Sequence, residues 1–193
     1  MSLVRSTKNG KTYARKEIIR SSVVRSSNKI SVNNEIQIQS TLDHTFITKI
    51  YSTKCKYGKT GIIMEYVSGL PLSDLITYYT KTSKTLDNDN ARTVMAQVLV
   101  ALKYMRTKNI CYADLKPQNT MLDMNGTVKL IDFGSARTIK EDNSCSILEG
   151  ENPADKGTPL FSAPEIFNTQ KVSFPADYWS FVSASLSRAV CCT

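Results

Sequence analysis

The chain is 193 residues long and 41% hydrophobic, enough to bury a core, and its net charge of +8 makes attraction to nucleotides or acidic surfaces available to it. Its Lys and Arg residues are scattered, with no aromatic-interleaved stripe to suit nucleic acid, and its five cysteines form no CxxC pair and meet a single histidine, His44, so cytosolic thiols are expected rather than a zinc site or disulfide framework. No apolar run reaches membrane-spanning length and the N-terminus lacks a signal peptide's apolar core, so a soluble cytoplasmic protein without a membrane span is expected.

In chain order, residues 2–5 and 12–20 have strand character and Asn9-Gly10 between them signals a turn, which predicts an antiparallel pair. The run Glu35-Ile36-Gln37-Ile38-Gln39 alternates polar and apolar, so periodicity alone favours a strand. Tyr57-Gly58-Lys59-Thr60 has the form of the end of a phosphate-binding loop, but Thr53 stands where that motif needs Gly, and a hairpin turn explains it better. GIIMEYV at 61–67 reads as a buried strand running into a connector, and 71–79 as a short helix. Between Asn90 and Thr107, Val94, Val98, Leu102 and Met105 fall on one helical face, with caps offered by residues 87–90 and a stop by Asn109. This scaffolding helix leads into a short strand at Ile110-Cys111. Further on, Trp179, Phe181, Val182, Leu186 and Val190 leave few polar gaps in a helix that therefore wants burial on most sides.

The stretch from Tyr112 to Gly134, YADLKPQNTMLDMNGTVKLIDFG, carries the chemistry. Residues 120–122 and 127–131 are β-prone, and Asn125-Gly126 supplies the positive φ angles of a tight hairpin. A hairpin returns the chain to its start, which brings Asp132 near Asp114, Lys116 and Asn119 although 18 positions separate it from the first. Phosphoryl transfer needs that inventory: a cation against phosphate charge, oxygen ligands for magnesium, and an oriented acceptor hydroxyl. Asn119 and Asp132 are the candidate Mg2+ ligands, Asp114 the candidate acceptor of the hydroxyl's proton, and Lys116 the candidate cation on the phosphate in flight. Singly, such residues mark ordinary turns and a surface lysine; the full string in this order favours the chemical reading.

The stretch resembles the catalytic loop, hairpin and metal-binding Asp-Phe-Gly of eukaryotic protein kinases, and motifs in that family's order extend the resemblance from Met1 to about Val190. Tyr13-Ala14-Arg15-Lys16 resembles the strand whose lysine grips the α- and β-phosphates of ATP, with Ala14 against adenine. Glu35, 19 residues on, lies where the family places the helix glutamate that partners this lysine, so the resemblance implies helix where alternation implies strand, and it makes His44 structural. Residues 61–67 resemble the hinge: Met64 would gate the back pocket, the backbone of Glu65 and Val67 would hydrogen-bond adenine, and Ser73 or Asp74 would lie near ribose. Residues 157–165 resemble the end of the activation segment, where substrate peptide docks, and Asp177-Tyr178-Trp179-Ser180 the start of a central helix whose Asp caps the catalytic loop. Lys116-Pro117 after Asp114-Leu115 resembles the serine/threonine branch. The implied protein is an α+β, two-lobed protein-kinase-like fold, strand-rich over 1–66 and mainly helical over 67–193, using ATP and Mg2+ to phosphorylate a protein substrate on Ser or Thr.

Three departures matter. Tyr112 and Ala113 stand where the family usually has His and Arg; the Tyr suits packing, but the Ala cannot replace the Arg. Ala154 occupies the position of the phosphorylatable residue whose phosphate pairs with that Arg, while Glu151 and Asp155 place fixed negative charge nearby, so activity independent of activation-loop phosphorylation is expected. The glycine-rich loop would precede Ser2 and the last C-lobe helices would follow residue 193, so a domain truncated at both ends is expected, with an apolar patch open to aggregation or an unknown regulatory partner. A catalytically silent kinase-like binding or scaffold module and a nonfunctional fragment stay open as alternatives, against which the intact Asp114, Lys116, Asn119 and Asp132 argue.

Overall fold

The computed structural model describes residues 1–19, 26–84, 87–139, 145–146, 159–169 and 171–189. Ser2–Arg5 (β1) and Thr12–Ile19 (β2) pair antiparallel around a turn where Gly10 takes a φ of +67°, as the sequence predicts. Ile50–Lys56 (β3) and Lys59–Glu65 (β4) complete a four-stranded sheet in the order β1-β2-β4-β3. Tyr57 and Gly58 join them with φ of +48° and +69°, the paired positive angles of a type I′ turn, so the hairpin reading holds. Opposite residues in a ladder share a face, so Ala14 and Met64, Lys16 and Ile62 lie on one side of the sheet.

Helix α1, Ser26–Ser40, packs on that sheet, and the alternating run 35–39 is helical rather than a strand. Among its described side chains the buried positions are Glu35, Ile38, Gln39 and, just past the helix, Leu42, a spacing of three, four and seven that belongs to one helical face. Two of the four are polar, so a reading that scored only hydrophobic residues found the wrong period.

The remainder is mainly helical. Gly69–Pro71 (β5) leads into Leu72–Lys81 (α2) and Asn88–Thr107 (α3), followed by Ile110–Cys111 (β6) and a single 3-10 turn over Pro117–Asn119. Asp87 caps α3 by accepting from the amides of Asp89 and Asn90 at 3.2 Å, and Asn109, at φ +54°, turns the chain away beyond its end. The expected face of α3, Val94, Val98, Leu102 and Met105, is buried in one core with Leu115, Leu130 and Phe133, which also takes Ile38 from α1 and Leu42 from just beyond it. That shared core joins α1 to the loop after β6, and Glu35 of α1 reaches the sheet at Lys16.

Thr120–Asp123 (β7) and Val128–Leu130 (β8) form the predicted hairpin, but its turn differs. Only Gly126 has a positive φ, +79°; Asn125 does not. The connection, residues 124–127, is organised by Asp123, whose side chain accepts from the amides of Asn125 and Thr127 at 2.8 Å, so the aspartate does the work assigned to Asn125. Arg137–Thr138 (β9), Cys145–Ser146 (β10), Pro164–Thr169 (α4), Lys171–Val172 (β11) and Phe174–Ala189 (α5) follow.

In α5 the expectation of burial on most sides fails. Trp179 and Val182 are 50% and 53% exposed, and the inward row is Ala176, Asp177, Ser180 and Ala184. Small and polar residues face the loop after β6, whose amides Asp177 holds, while Phe174 is buried at the helix start, Phe181 packs partly buried on the core, and Trp179 and Val182 lie outside. The side chains of Leu186 and Val190, together with Arg20, Ser144, Glu151, Ala154, Asp155 and Gly157-Thr158, lie outside the described residues. Among the described residues no helix is long and apolar enough to cross a membrane.

Candidate active site

The loop after β6 is anchored from beneath. Asp177, buried at the start of α5, accepts from the amides of Tyr112 and Ala113, each at 2.8 Å. This is the cap expected of it, and it holds Ala113 in a left-handed conformation with φ of +63°. A non-glycine residue there costs of order 1–3 kcal/mol and persists only where surrounding contacts impose it. Burial pushes the Asp177 carboxyl up, and the two amide bonds oppose that push.

Tyr112 is fully buried, packed edge-on to Phe133 with ring centroids 5.1 Å apart, and its hydroxyl donates to the carbonyl of Ile131. The packing role was legible in the sequence; this tether was not, although a buried tyrosine hydroxyl needs an acceptor and so signals one. Burial first, then the charges of Asp114, Asp132, Asp177 and Glu35, push its phenol well above the ordinary range. Four carboxylates therefore converge around one ring.

Asp114 follows and is gripped by the turn it begins. Lys116 Nζ lies 2.8 Å from Oδ2 and 3.0 Å from Oδ1, and Asn119 Nδ2 donates to Oδ2 at 2.7 Å and to the Asp114 carbonyl at 3.0 Å. The 3-10 turn makes these reaches short: the amide of Asn119 and the hydroxyl of Thr120 both bond the Lys116 carbonyl. Burial raises the Asp114 carboxyl above its ordinary value, Lys116 and Asn119 pull it back, and Asp132 adds to the rise.

Asp132 enters from the far end of the hairpin. The amide of Ile131 donates to the Asn119 carbonyl at 3.0 Å, so Asp132 does arrive beside Asn119, at a φ of +59° and half-exposed. The sheet supplies the facing group: Lys16 Nζ on β2 sits 2.6 Å from Glu35 Oε1 and 3.3 Å from Asp132 Oδ1. Burial disfavours charge on Lys16, but Glu35 and Asp132 together outweigh it and hold the ammonium above the ordinary lysine value, while burial pushes the Glu35 carboxyl up against the pull of Lys16.

The hinge candidates lie on the same sheet. Ala14 is paired with Leu3 and Met64, and Met64 is buried. The Glu65 side chain reaches Lys129 at 2.6 Å, a pair that sequence reading missed, and its amide donates to the Lys49 carbonyl at 2.8 Å. Val67 lies half-buried in the connection to β5, while Ser73 Oγ bonds the Asp74 carboxylate at 3.2 Å. His44 is structural: it stacks on Tyr104 with centroids 4.7 Å apart and its Nδ1 accepts from the Phe46 amide.

The donor set suits a hard cation. Asn119 spends its nitrogen on Asp114, which leaves the amide oxygen, and Asp132 offers a carboxylate that reaches solvent. One carboxylate and one neutral oxygen are what Mg2+ takes from a protein when substrate phosphates and water complete its shell.

A four-stranded sheet whose lysine is paired with a helix glutamate, set over an Asp-Lys-Asn turn and a second aspartate, has the form of a protein kinase domain. The family model described as the protein kinase domain matches residues 1–186, and the chain belongs to that family. It is 32% identical to cAMP-dependent protein kinase type 3 of Saccharomyces cerevisiae over 179 residues, covering 93% of this chain and 42% of that protein. It is 33% identical to developmentally-regulated protein kinase 1 of Dictyostelium discoideum over 180 residues, covering 92% and 24%, and 32% identical to the cAMP-dependent protein kinase catalytic subunit of that organism over 178 residues, covering 92% and 26%. The chain thus spans less than half the length of these relatives.

Proposed function

We propose that this chain is the catalytic core of an ATP-dependent protein serine/threonine kinase, divided into lobes near Tyr66, that moves the γ-phosphoryl group of ATP to a protein hydroxyl. The observation that carries the reading is the grip on Asp114: a carboxylate fixed by Lys116 and Asn119 beside Asp132, itself within reach of the Lys16–Glu35 pair. In the reaction the substrate hydroxyl oxygen bonds to the γ-phosphorus, the bond from that phosphorus to the β,γ-bridging oxygen breaks, and ADP leaves. Asp114 accepts the hydroxyl's hydrogen bond and then its proton. Lys116, already at Asp114, stabilises the negative charge of the transferring group, and Lys16, set by Glu35, holds the α- and β-phosphates. Asn119 and Asp132 would hold Mg2+, which when bound neutralises phosphate charge. Adenine would lie against Ala14 and Met64, bonded to the backbone of Glu65 and Val67. The serine/threonine assignment rests on Lys116-Pro117, and the relatives' names as protein kinases support a protein substrate.

The test is transfer of γ-phosphate from Mg-ATP to a generic basic protein, wild type against Asp114→Asn. The wild type is expected to transfer and the variant to be slower by about 10²–10⁴-fold, the usual contribution of a positioned base. Wild-type protein that binds Mg-ATP yet transfers nothing would replace the enzyme reading with that of a nucleotide-binding module.

A further inference from the structure

Among the described side chains of helix α1, two polar ones, Glu35 and Gln39, are buried one turn apart. Glu35 meets Lys16. Gln39 is 1% exposed, and its side-chain hydrogen bonds run to Thr48 rather than to Lys16. Its Nε2 donates to the Thr48 carbonyl at 2.8 Å and to Thr48 Oγ1 at 3.0 Å. Thr48 Oγ1 donates onward to the Leu130 carbonyl at 3.0 Å, and the Thr48 amide donates to the same oxygen at 3.1 Å. Leu130 closes β8, two residues before Asp132, and its own amide donates back to the Phe46 carbonyl at 2.8 Å. These contacts complete a ring: Glu35 to Lys16, Lys16 to Asp132, back along the chain to Leu130, across to Thr48 and Gln39, and one helical turn back to Glu35.

Gln39 Oε1 is buried with no hydrogen-bond partner. An orphaned buried oxygen destabilises, whereas an apolar side chain of similar size would fill the same space without it. Space-filling alone does not account for an amide here; what its nitrogen holds does. We propose that Gln39 is a positioning residue: its amide ties α1 to the strand leading into Asp132, so that Glu35 and Asp132 are presented to Lys16 as one unit. The consequence for nucleotide binding rests on the kinase reading above, while the tie between α1 and β8 does not.

The test uses Gln39→Met, which keeps length and volume but donates nothing. In the nucleotide-free full chain, the amides of Thr48, Leu130 and Ile131 are expected to exchange about tenfold faster, with those of Val98 and Leu102 in α3 unchanged, because a tie has been cut and the core has not been weakened. The Kd for Mg-ATP is expected to rise by about the same factor. Thr48→Val removes only the hydroxyl relay and is expected to give the same pattern more weakly; in the double variant the losses do not add, since both break one chain of bonds. Exchange at the three amides equal to wild type, a rise spread evenly into α3, or simple additivity overturns the proposal. Should Gln39→Met fail to fold, Thr48→Val carries the same exchange comparison. A wild type that binds no Mg-ATP would defeat the functional reading and leave the exchange comparison to decide this one.

Discussion

Asp114 is kept in two minds by its surroundings. Burial favours the neutral acid, while Lys116 and Asn119 favour the ionised form, and the balance leaves its carboxyl above the usual value near 3.9. A carboxyl raised by the fold contributes stability that is full below its unfolded value and is lost as pH rises through its folded value, so the ionised form needed for proton acceptance is held at some cost to the fold. Transfer activity is therefore expected to fall on the acid side at a pH above the ordinary carboxylate range. Lys116→Ala removes the largest influence holding Asp114 down, so its acid limb is expected to move to higher pH while the rate falls about 10²-fold, read from a pH–rate profile of kcat/KM. An acid limb that does not move would show that some other group titrates there. At this scale Asp114, Lys116, Asn119 and Asp132 were named as candidates from type and order and Lys16 from the resemblance, and the fold brings the five together. Tyr112 and Gln39 were read short or missed, because their contribution lies in an acceptor that only the folded chain brings to them.

At the scale of elements, close approach decides. Gly69 in β5 faces β7 so tightly that a Cβ would lie 2.0 Å from the Leu122 carbonyl oxygen and 2.7 Å from the Asp123 Cα, both backbone atoms that cannot swing aside. Gly69→Ala is expected to cost roughly 3 kcal/mol or more, beyond the usual single-substitution range, measured by denaturant midpoint. At Gly126 a Cβ meets nothing within 4 Å, so Gly126→Ala should cost only the roughly 1–2 kcal/mol of its positive φ. Equal effects at the two sites would refute the steric argument. The activation segment raises a separate point. Ser146 pairs with Lys171 in the β10–β11 ladder, and the residue before Asp114 is Ala113 where a phosphate-binding arginine would be needed. Phosphatase treatment is expected to leave the transfer rate unchanged; a chain inert until Ser144 or Ser146 is phosphorylated would overturn this. Element identity was legible where apolar spacing was regular, as in α3. For α1, whose described inward face is half polar, periodicity pointed to a strand and the resemblance alone gave the helix; α5 was read as a helix, but with Trp179 and Val182 buried, and both are exposed.

For the whole molecule, charge is unevenly divided. Residues 1–65 carry twelve Lys and Arg against four Asp and Glu, and residues 66–193 carry thirteen of each, so the entire net charge of +8 belongs to the part that contains the sheet and α1. Among the described side chains of that part, nine Lys and Arg stand against four Asp and Glu, so the part that carries Lys16 is itself net positive. Association of Mg-ATP is expected to slow several-fold between low salt and about 0.15 M salt, where the Debye length is about 8 Å, when followed by stopped-flow. A rate indifferent to salt would confine electrostatics to the contacts at the site itself. The sequence by itself determined the family and the strand and helix order over most of the chain, and it nominated the residues proposed to handle phosphate, because these depend on residue type and local spacing. Only the tertiary structure decided that Lys16 stands between Glu35 and Asp132, that Asp177 holds Ala113 in a left-handed turn and that Gln39 ties α1 to β8. Each of those depends on atoms far apart in the chain meeting in a core shared by α1, α3 and β8, and no local pattern encodes such a meeting.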